Sequence, residues 1–489
     1  MTGGKHTRLE ESLQRFHQVL NESDQREILA IQDQPLPTGI RLNPLKVMPQ
    51  EAIADLAQRY GWEVSPVPFC AQAWAIDKSD TSPGNTLEHR MGQYYLQDVA
   101  SMVPGSLFDF EQASDSPLVL DMAASPGGKT THLISRSQDQ GLVIANDASQ
   151  GRIPALRAVL ASWGGINQVI TRYPGESFGA WYPETFDIVL VDAPCSMENL
   201  RPTPAHPLRE TTTVERKRLQ ERQIQLLESG LKALKTGGQL VYATCSLAPE
   251  EDEAVLDGIL GAFPGSVQIE AVSDRLSLSA PGLTQFEDMA YHPHMTHALR
   301  LWPHRTGMSG FFCALLRKTG ILPHQKDTPP SREFSKTGLA SLKSEEKHQI
   351  ITALIQNYGL DLDKVLAAYN LALHRRYDQV FLIPEKYLEG FSTLPYEYIG
   401  MPLVQRVAEE LVPSHEFISR FGGQFTWGII RITDEDIPQW VSGRDIRFPP
   451  TSLTPQGQYL LVTDKDRRNL GLGKLLPKRL RNMLPRSSR

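Results

Sequence analysis

Apolar, β-branched runs alternate with amphipathic stretches through the middle of this chain, and that alternation restricts the folds open to it. The runs occupy residues 118–122, 142–145, 169–171, 188–191, 240–243 and 311–317. Helical patterns lie between them, beginning near residue 128 and covering 151–162 and about 214–234. Strands that are apolar on both faces belong to sheets covered by helices on either side. The pattern predicts an α/β fold with a doubly wound, mostly parallel sheet.

The 489 residues are long enough for several domains, and four regions are expected. A small α+β region takes residues 1–75 and includes a helix over 9–20, and the sheet described above takes 76–318. Residues 319–395 join a polar, Pro-bearing linker to a small α/β segment whose helical pattern covers 345–373. Residues 396–489 are rich in Gly, Pro and strand-type sequence and predict a β domain.

Charge is unevenly distributed along the chain. The formal net charge is −6, but residues 464–489 contain nine Lys or Arg and two Asp, a local charge of +7. An acidic body with a basic end indicates one localised anionic partner rather than general affinity for polyanions. On charge alone, a solvated tail explains the segment nearly as well. Leucines within it favour a packed element, and they are Leu470, Leu472, Leu475, Leu476, Leu480 and Leu484.

Cysteine usage and hydropathy limit the classes of protein to consider. The four cysteines, at positions 70, 195, 245 and 313, include no pair with zinc-ligand spacing, so neither a metal site nor a disulfide framework is expected. A histidine cluster at 292–304 is broken by prolines and predicts a surface loop. The chain shows neither a signal peptide nor the roughly 18 consecutive apolar residues of a membrane helix. We expect a cytoplasmic monomer with no membrane partner.

A glycine-containing turn follows the first strand of the predicted sheet. Residues 121–130 read Asp-Met-Ala-Ala-Ser-Pro-Gly-Gly-Lys-Thr, and a phosphate-binding P-loop is excluded because position 123 is Ala. A strand, a sharp turn and a helix N-terminus remain, where a ligand can approach backbone amides. Asp147 ends the next strand, the position from which an acidic residue takes ribose hydroxyls. The turn predicts an adenosine-containing cofactor, NAD or S-adenosylmethionine, and the absence of GxGxxG disfavours NAD.

Two of the cysteines follow predicted buried strands directly. Cys195 comes after Val-Asp-Ala-Pro and Cys245 after Tyr-Ala-Thr, and each is followed by Ser. Ligands of open α/β sheets bind at the carboxyl ends of the strands, so both thiols are expected at the reactive edge. Cys70 and Cys313 lack this setting and are expected to be inert core residues. The pair predicts covalent catalysis.

On these motifs the chain resembles the RNA cytosine-5 methyltransferases. The resemblance rests on Asp-Ala-Pro-Cys-Ser at 192–196, on Ala-Thr-Cys-Ser at 243–246 with the Pro-Glu-Glu-Asp-Glu that soon follows, and on the turn at 122–130. Supporting matches are Arg-Leu-Asn at 41–43, Tyr-Leu-Gln-Asp-Val-Ala-Ser-Met at 95–102 and Gly-Phe-Phe-Cys-Ala-Leu-Leu-Arg-Lys at 310–318. The C-terminus, with Trp-Val-Ser-Gly-Arg-Asp at 440–445 and Gly-Leu-Gly-Lys at 471–474, is similar to bacterial members that act on small-subunit ribosomal RNA.

The resemblance implies an S-adenosyl-L-methionine-dependent enzyme that methylates carbon 5 of a cytosine in 16S ribosomal RNA, free or in the 30S subunit. It implies RNA-binding regions at 1–75 and, as a PUA-like domain, at 396–489. It makes Cys245 the nucleophile, Cys195 the group that assists its release, and Asp192 the group that holds the base. The cofactor residues that it implies are Ala123, Ala124, Ser125, Pro126, Gly127, Gly128, Lys129, Asp147 and Asp192. Expected RNA contacts are Arg41, Asn43, Lys474, Lys478, Arg479 and Arg481, with a structural role for the first two left open.

The chain departs from the family pattern at two places. Pro174 stands where family members usually carry Asp, and Met197-Glu198-Asn199 stands where they carry Gly-Glu-Gly. A non-catalytic RNA-binding assembly factor and a methyltransferase of transfer RNA therefore remain alternatives, while a thiol oxidoreductase would need the CxxC motif that is missing. The acidic run at 250–253 predicts the solvated first turn of a helix.

Overall fold

The computed structural model describes residues 3–32, 34–202, 210–272, 276, 278, 280–408, 410–447 and 459–485, with side chains from Leu9 onward. Within these ranges the strands form one nine-stranded sheet, a four-stranded sheet, two five-stranded sheets and a two-stranded hairpin. None of the helices in the described part of the chain is both long and apolar enough to cross a membrane.

The N-terminal part contains a small antiparallel sheet. Its strands β1 (Thr38–Leu42), β2 (Trp62–Pro66), β3 (Ala73–Ser79) and β4 (Tyr94–Leu96) lie in the order β2-β3-β1-β4. The helices are α1 (Gly3–Arg15), α2 (Glu22–Ala30), α3 (Pro49–Tyr60), α4 (Leu87–Arg90) and α5 (Val103–Leu107). The helix expected over 9–20 thus ends early, at Arg15. A second helix follows because the Asn21 side chain caps it by accepting N–H bonds from Ser23 and Asp24.

Within its described residues, the central part contains the six strands predicted from the apolar runs and four short strands that were not predicted. They are β5 (Leu118–Asp121), β6 (Leu142–Asn146), β7 (Gln168–Thr171), β8 (Phe186–Asp192), β9 (Leu234–Thr244), β10 (Val267–Glu270), β11 (Gln285–Phe286), β12 (Met289–Ala290), β13 (Leu299–Leu301) and β14 (Phe311–Lys318). The helices are α6 (Gly128–Arg136), α7 (Ile153–Trp163), α8 (Phe178–Trp181), α9 (Thr213–Ala233), α10 (Glu253–Ala262) and α11 (Pro303–Thr306).

The large sheet has the order β10-β14-β9-β8-β5-β6-β7, and β5 to β9 run parallel. Strand β14 lies antiparallel beside β9, and β10 is antiparallel to β14. Helices α9 and α10 contribute leucine, isoleucine and valine side chains to the core on one face, while α5, α6 and α7 cover the other. This arrangement confirms the predicted doubly wound, mostly parallel α/β fold.

The C-terminal part contains two five-stranded sheets. The strands are β15 (Ala340–Ser341), β16 (Leu371–Arg376), β17 (Gln379–Pro384), β18 (Tyr398–Ile399), β19 (Met401–Val407), β20 (Glu410–Pro413), β21 (Ile429–Arg431), β22 (Ile446–Arg447), β23 (Tyr459–Thr463), β24 (Asn469–Leu476) and β25 (Arg479–Asn482). The helices are α12 (Ser344–Tyr358), α13 (Leu362–Tyr369), α14 (Glu385–Gly390), α15 (His415–Phe421) and α16 (Ile437–Val441). One sheet has the order β15-β16-β17-β19-β20 and the other β21-β23-β24-β25-β22.

Strand β18 belongs to neither C-terminal sheet, because it pairs antiparallel with β7 and extends the central sheet at that edge. Two expected domain boundaries, at 75 and 395, fall inside continuous sheets, since β3 crosses the first and one C-terminal sheet lies on both sides of the second. The helical pattern expected over 345–373 divides into α12 and α13. Gly359 adopts φ +68° after the first helix, and Asn370 adopts φ +52° after the second.

Candidate active site

The two cysteines that follow the predicted strands lie side by side at the carboxyl edge of the central sheet. Cys195 lies in the loop after β8, and Cys245 directly follows β9, the neighbouring parallel strand. Their Sγ atoms are 3.1 Å apart, well beyond the bond length of about 2.05 Å in a disulfide. Both are free thiols and both are partly exposed. The sheet edge therefore presents a hydrogen-bonded thiol pair.

The hydrogen bond between the sulfur atoms makes the two thiols unequal. It lowers the pKa of Cys245, and the Lys129 charge lowers it further, while burial and Asp192 act in the opposite direction. The pKa of Cys195 is raised by the same hydrogen bond, by burial, and by the charges of Cys245 and Glu251. Because thiolate is the reactive form of cysteine, these surroundings favour Cys245 over Cys195 as the nucleophile.

An ion pair lies next to the thiols. Lys129, in the first turn of α6, donates to Asp192 at the end of β8, with Nζ 2.8 Å from Oδ2. Burial alone would lower the pKa of Lys129, but the Asp192 carboxylate outweighs it and raises that pKa. The ammonium also lies 5.4 Å from the centre of the Phe311 ring. A cation and a partly exposed carboxylate are thus fixed beside Cys245.

The turn between β5 and α6 and the end of β6 bring together the residues expected to bind the cofactor. They are Ala123, Ala124, Ser125, Pro126, Gly127, Gly128, Lys129 and Asp147, with Asp192 on the adjacent strand. Gly127 adopts φ +116°, and a Cβ there would lie 2.9 Å from Val159. A Cβ on Gly128 would lie 2.8 Å from the Tyr95 ring. Both positions therefore favour glycine, because a side chain at either would displace a packed neighbour.

Two buried carboxylates flank this turn. Asp147 accepts N–H bonds from Ser125 at 3.2 Å and Ser149 at 2.9 Å. Asp121 accepts the Thr130 hydroxyl at 2.7 Å, and burial raises its pKa to about 7. The second oxygen of Asp121 has no hydrogen-bond partner among the described residues. Asp147 directly follows β6, the position from which an acidic residue takes ribose hydroxyls, so the turn suits an adenosine-containing cofactor.

The loop that carries Cys195 is held by the N-terminal helix and by α9. Glu198 is almost fully buried and pairs with Arg15 at 3.0 Å and with Arg216 at 2.5 Å. Met197 adopts φ +62°, the left-handed region that favours glycine. Position 197 therefore has a backbone conformation that favours glycine, the residue that family members usually carry there, although this chain has methionine.

The other departure from the family pattern lies beside β7. Pro174 precedes a short turn, and Glu176 is directed to Arg222, with an Nε–Oε1 distance of 3.2 Å. Asn146 joins the neighbouring strand ends, because its side chain accepts the Tyr173 N–H and donates to the Tyr173 carbonyl. The structural role of Asn146 was not foreseen from the sequence.

The acidic run at 250–253 is not the solvated helix turn that was predicted. Its last three side chains are fully buried, and Arg300 pairs with the final two. Helix α10 begins only at the last of the four residues. Glu251 accepts hydroxyl hydrogen bonds from Ser196 and Ser246, the residues that follow the two cysteines. The two serines were the signal in the sequence that could have predicted a buried acceptor, since buried hydroxyls at a sheet edge need hydrogen-bond partners.

Comparisons with known proteins identify the family of the chain. Residues 111–317 match the family model described as 16S rRNA methyltransferase RsmB/F, and residues 10–99 match the N-terminal domain of 16S rRNA methyltransferase RsmF. Ribosomal RNA small subunit methyltransferase F of Pectobacterium atrosepticum is 32% identical over 470 residues, which cover 94% of this chain and 91% of that protein. The chain belongs to the ribosomal RNA small subunit methyltransferase F family.

Other relatives extend the comparison. The methyltransferase F of Aeromonas salmonicida is 30% identical over 463 residues, covering 94% of this chain and 92% of that protein. A crystal structure of a methyltransferase homolog from Pyrococcus horikoshii has a TM-score of 0.56 and 30% identity, and the match covers 65% of this chain and 100% of that one. Membership of the methyltransferase F family confirms the predicted RNA methyltransferase and its cofactor, S-adenosyl-L-methionine.

Two residues expected to contact RNA in this methyltransferase F family chain are buried instead. Arg41 is fully enclosed, stacks on the Trp163 ring, and donates to Gln97 just after β4 and to two groups of α6. Asn43 is equally buried and donates to the carbonyls of Gly92 and Trp163, at 2.9 and 2.7 Å. Neither side chain is accessible to a phosphate, so the structure supports the structural alternative and corrects the RNA-binding expectation.

The four basic residues expected to bind RNA near the C-terminus lie on or between β24 and β25. Lys478, Arg479 and Arg481 are exposed, whereas Lys474 is half-buried and pairs with Glu410 at 3.2 Å. Lys474 and Arg481 are opposite each other across the two strands. The segment is folded rather than a solvated tail over its described part, although its basic residues 486 and 489 lie outside the described residues. It presents a basic strip on a packed sheet.

Proposed function

We propose that this protein transfers a methyl group to carbon 5 of a cytosine in small-subunit ribosomal RNA through a covalent bond between Cys245 and the base. The observation that carries the proposal is the 3.1 Å contact between two free thiols at the edge of a methyltransferase sheet. Lys129 and Asp192, paired beside them, complete the set of groups that the reaction needs. The family to which the chain belongs supports ribosomal RNA as the substrate.

Covalent catalysis overcomes the low nucleophilicity of carbon 5 of cytosine. Carbon 5 of cytosine is too weak a nucleophile to attack a methyl sulfonium, so the Cys245 thiolate first adds to carbon 6. The electron pair of the C5–C6 double bond then makes carbon 5 nucleophilic. Bound S-adenosyl-L-methionine supplies the methyl group as a sulfonium. Once carbon 5 carries the methyl group it loses its proton to a base, the C6–S bond breaks, and the electron pair returns to Cys245.

The surroundings of the thiols suit these steps. Asp192 accepts a hydrogen bond from the amino group of the base, and the Lys129 ammonium paired with it stabilises the negative charge that develops on the ring during addition. When the Cys245 sulfur is bonded to carbon 6 it no longer carries the charge that raises the pKa of Cys195. Cys195 can then lose its proton and accept the proton of carbon 5, directly or through water. Cys245 thus acts first, as the nucleophile, and Cys195 acts later, as the base.

RNA has to reach this edge with its target base unpaired. A cytosine inside a duplex cannot approach the thiols, so the substrate nucleotide must be flipped out or single-stranded. The exposed Lys478, Arg479 and Arg481 form a strip that suits contacts with phosphates and would hold the RNA in place.

The decisive experiment is methylation of purified 30S subunits and of protein-free small-subunit RNA with labelled cofactor, followed by nucleoside mass spectrometry. We expect 5-methylcytidine from the wild type and none from Cys245→Ala. Cys195→Ala should accumulate a covalent RNA adduct, because the C6–S bond cannot be broken efficiently. Cys70→Ala, which removes a buried thiol elsewhere, is the matched control and should behave as wild type.

The outcomes separate the alternatives. Methylation of transfer RNA in place of ribosomal RNA would reassign the substrate. Cofactor binding without methylation of any stable RNA, or no cofactor binding at all, would favour an RNA-binding assembly factor. An adduct in both single-cysteine variants, or in neither, would overturn the assignment of roles to Cys245 and Cys195.

A further inference from the structure

A single buried carboxylate joins the two loops that carry the thiols. Glu251 is fully buried, and the backbone N–H of Ser196 donates to its Oε2 atom at 2.9 Å. The hydroxyl of Ser196 donates to Oε1, and the hydroxyl of Ser246 donates to the same oxygen at 3.0 Å. Each of these serines directly follows a cysteine. The positions of both sulfur atoms are therefore tied to one side chain.

The remaining contacts of this carboxylate are of the same kind. Gln223 donates its amide to Oε2 of Glu251 at 3.0 Å and to the carbonyl of Pro194 at 2.9 Å. All four groups around the carboxylate are donors, and an acceptor-only ionised carboxylate is the side chain that satisfies them. Within the described part of the chain no Lys or Arg pairs with Glu251 directly. Among those residues, hydrogen bonds alone hold the negative charge.

We propose that Glu251 is a positioning residue: its carboxylate holds the two cysteine loops in register and directs the negative charge of the thiol pair to Cys245. The proposal rests on the proposed covalent function. Glu251 touches neither reacting carbon in this scheme and acts through the serines and Cys195. It therefore specifies which of two similar thiols attacks.

The charges around the pair explain the direction of this effect. Glu251 accepts two hydrogen bonds from Ser196, the residue after Cys195, and only one from Ser246. Its charge raises the pKa of Cys195, after the larger effects of the Cys245 hydrogen bond and burial. Lys129 lies on the side of Cys245 and lowers the pKa of that thiol, while Asp192 opposes it. An anion at one end of the sulfur pair and a cation at the other favour a thiolate at Cys245.

The test measures thiol reactivity without RNA. Iodoacetamide labelling, quantified for each cysteine by peptide mass spectrometry across a pH series, gives the ratio of Cys245 to Cys195 modification. In Glu251→Gln we expect this ratio to fall about tenfold, because the charge that disfavours a thiolate at Cys195 is removed. Steady-state kcat should fall by about 10²-fold, the lower end for a misdirected acid–base group, with KM for RNA unchanged. Glu251→Asp should restore part of the ratio.

The control is Glu228→Gln, which neutralises a partly exposed carboxylate on α9, the helix that also carries Gln223. It should leave both the ratio and kcat at wild-type values. If Glu251→Gln does not fold, the double variant Ser196→Ala, Ser246→Ala decides, since it keeps the charge but loosens the loops and should lower kcat about tenfold.

Wild-type values of the labelling ratio and of kcat in Glu251→Gln would overturn the proposal, as would wild-type kcat in the double serine variant. Failure of the covalent mechanism shows itself differently. In that case the wild type forms no 5-methylcytidine, whereas the labelling ratio still reports whether Glu251 controls the thiols.

Discussion

Replacing Arg41 with methionine should destabilise the junction between the N-terminal sheet and the catalytic domain by about 3–5 kcal/mol. The buried guanidinium donates to Gln97 Oε1 at 3.1 Å, to the Gly128 carbonyl at 2.9 Å and to Thr131 Oγ1 at 2.6 Å. Methionine fills a similar volume but offers no donor. Three buried acceptors then lose a donor, although the Gly128 carbonyl keeps the Thr131 hydroxyl as a partner at 2.9 Å.

The magnitude follows from these contacts. A buried neutral acceptor that loses its donor costs about 1 kcal/mol or more. The guanidinium also stacks over Trp163, 4.7 Å from the ring centre, a contact worth up to about 2 kcal/mol when it is desolvated. Burial lowers the pKa of Arg41 to about 10, a sign that its desolvation is costly and offsets part of the sum.

Urea unfolding followed by tryptophan fluorescence measures the free energy, and filter binding measures RNA affinity. Arg41→Met should be less stable than wild type while its folded form binds RNA normally. The exposed Arg481→Met is the matched control and should do the reverse: unchanged stability, weaker RNA binding and a salt dependence reduced by about one ion. A stable Arg41→Met protein with impaired RNA binding would refute the structural role and restore the expected phosphate contact.

Three further results are expected. Met197→Gly should stabilise the protein by about 1 kcal/mol in the same urea assay, because φ +62° strains a methionine and not a glycine; lower stability would mean that the methionine side chain matters more than its backbone. Gly127→Ala should weaken cofactor binding in calorimetry about tenfold, since φ +116° strains alanine and its Cβ would lie 2.9 Å from a valine. Alkylation of Cys245 should rise with pH through a midpoint below that of an ordinary cysteine, and Cys195→Ala should move the midpoint to higher pH because it removes the hydrogen bond that lowers this pKa; an unmoved midpoint would contradict the coupling.

The central sheet was predictable because its apolar runs leave few alternatives. Strands β5, β6 and β8 begin and end within two residues of the predicted positions, since nearly every side chain in them is buried. The C-terminal helices were less predictable. The apolar spacing continues smoothly past 359 and into β16, and only the left-handed conformations of Gly359 and Asn370 mark where each helix ends. Such local turns depend on packing that periodicity does not record.

The thiol pair was predicted to share the sheet edge because both cysteines follow parallel strands, and the geometry brings them into contact. Glu251 was missed because acidic runs usually face solvent, and its burial depends on hydroxyls from two separate loops. Arg41 was wrongly expected to contact RNA, since a basic residue in an RNA-modifying enzyme suggests a contact with a phosphate group. Its enclosure comes from contacts on α6, some 87 residues away in sequence.

Strand β18 has a consequence for how the chain matures. It adds to the free side of β7, yet it is made from residues about 230 positions further along. Until those residues have been synthesised, the backbone N–H and C=O groups at this edge of β7 are unpaired. They can pair with a strand of another chain, which leads to aggregation. The edge of the catalytic sheet is thus paired only late in synthesis, by a strand from the C-terminal part that also carries the basic strip. A fragment that stops after β14 would lack β18 and should be markedly less soluble than the full chain.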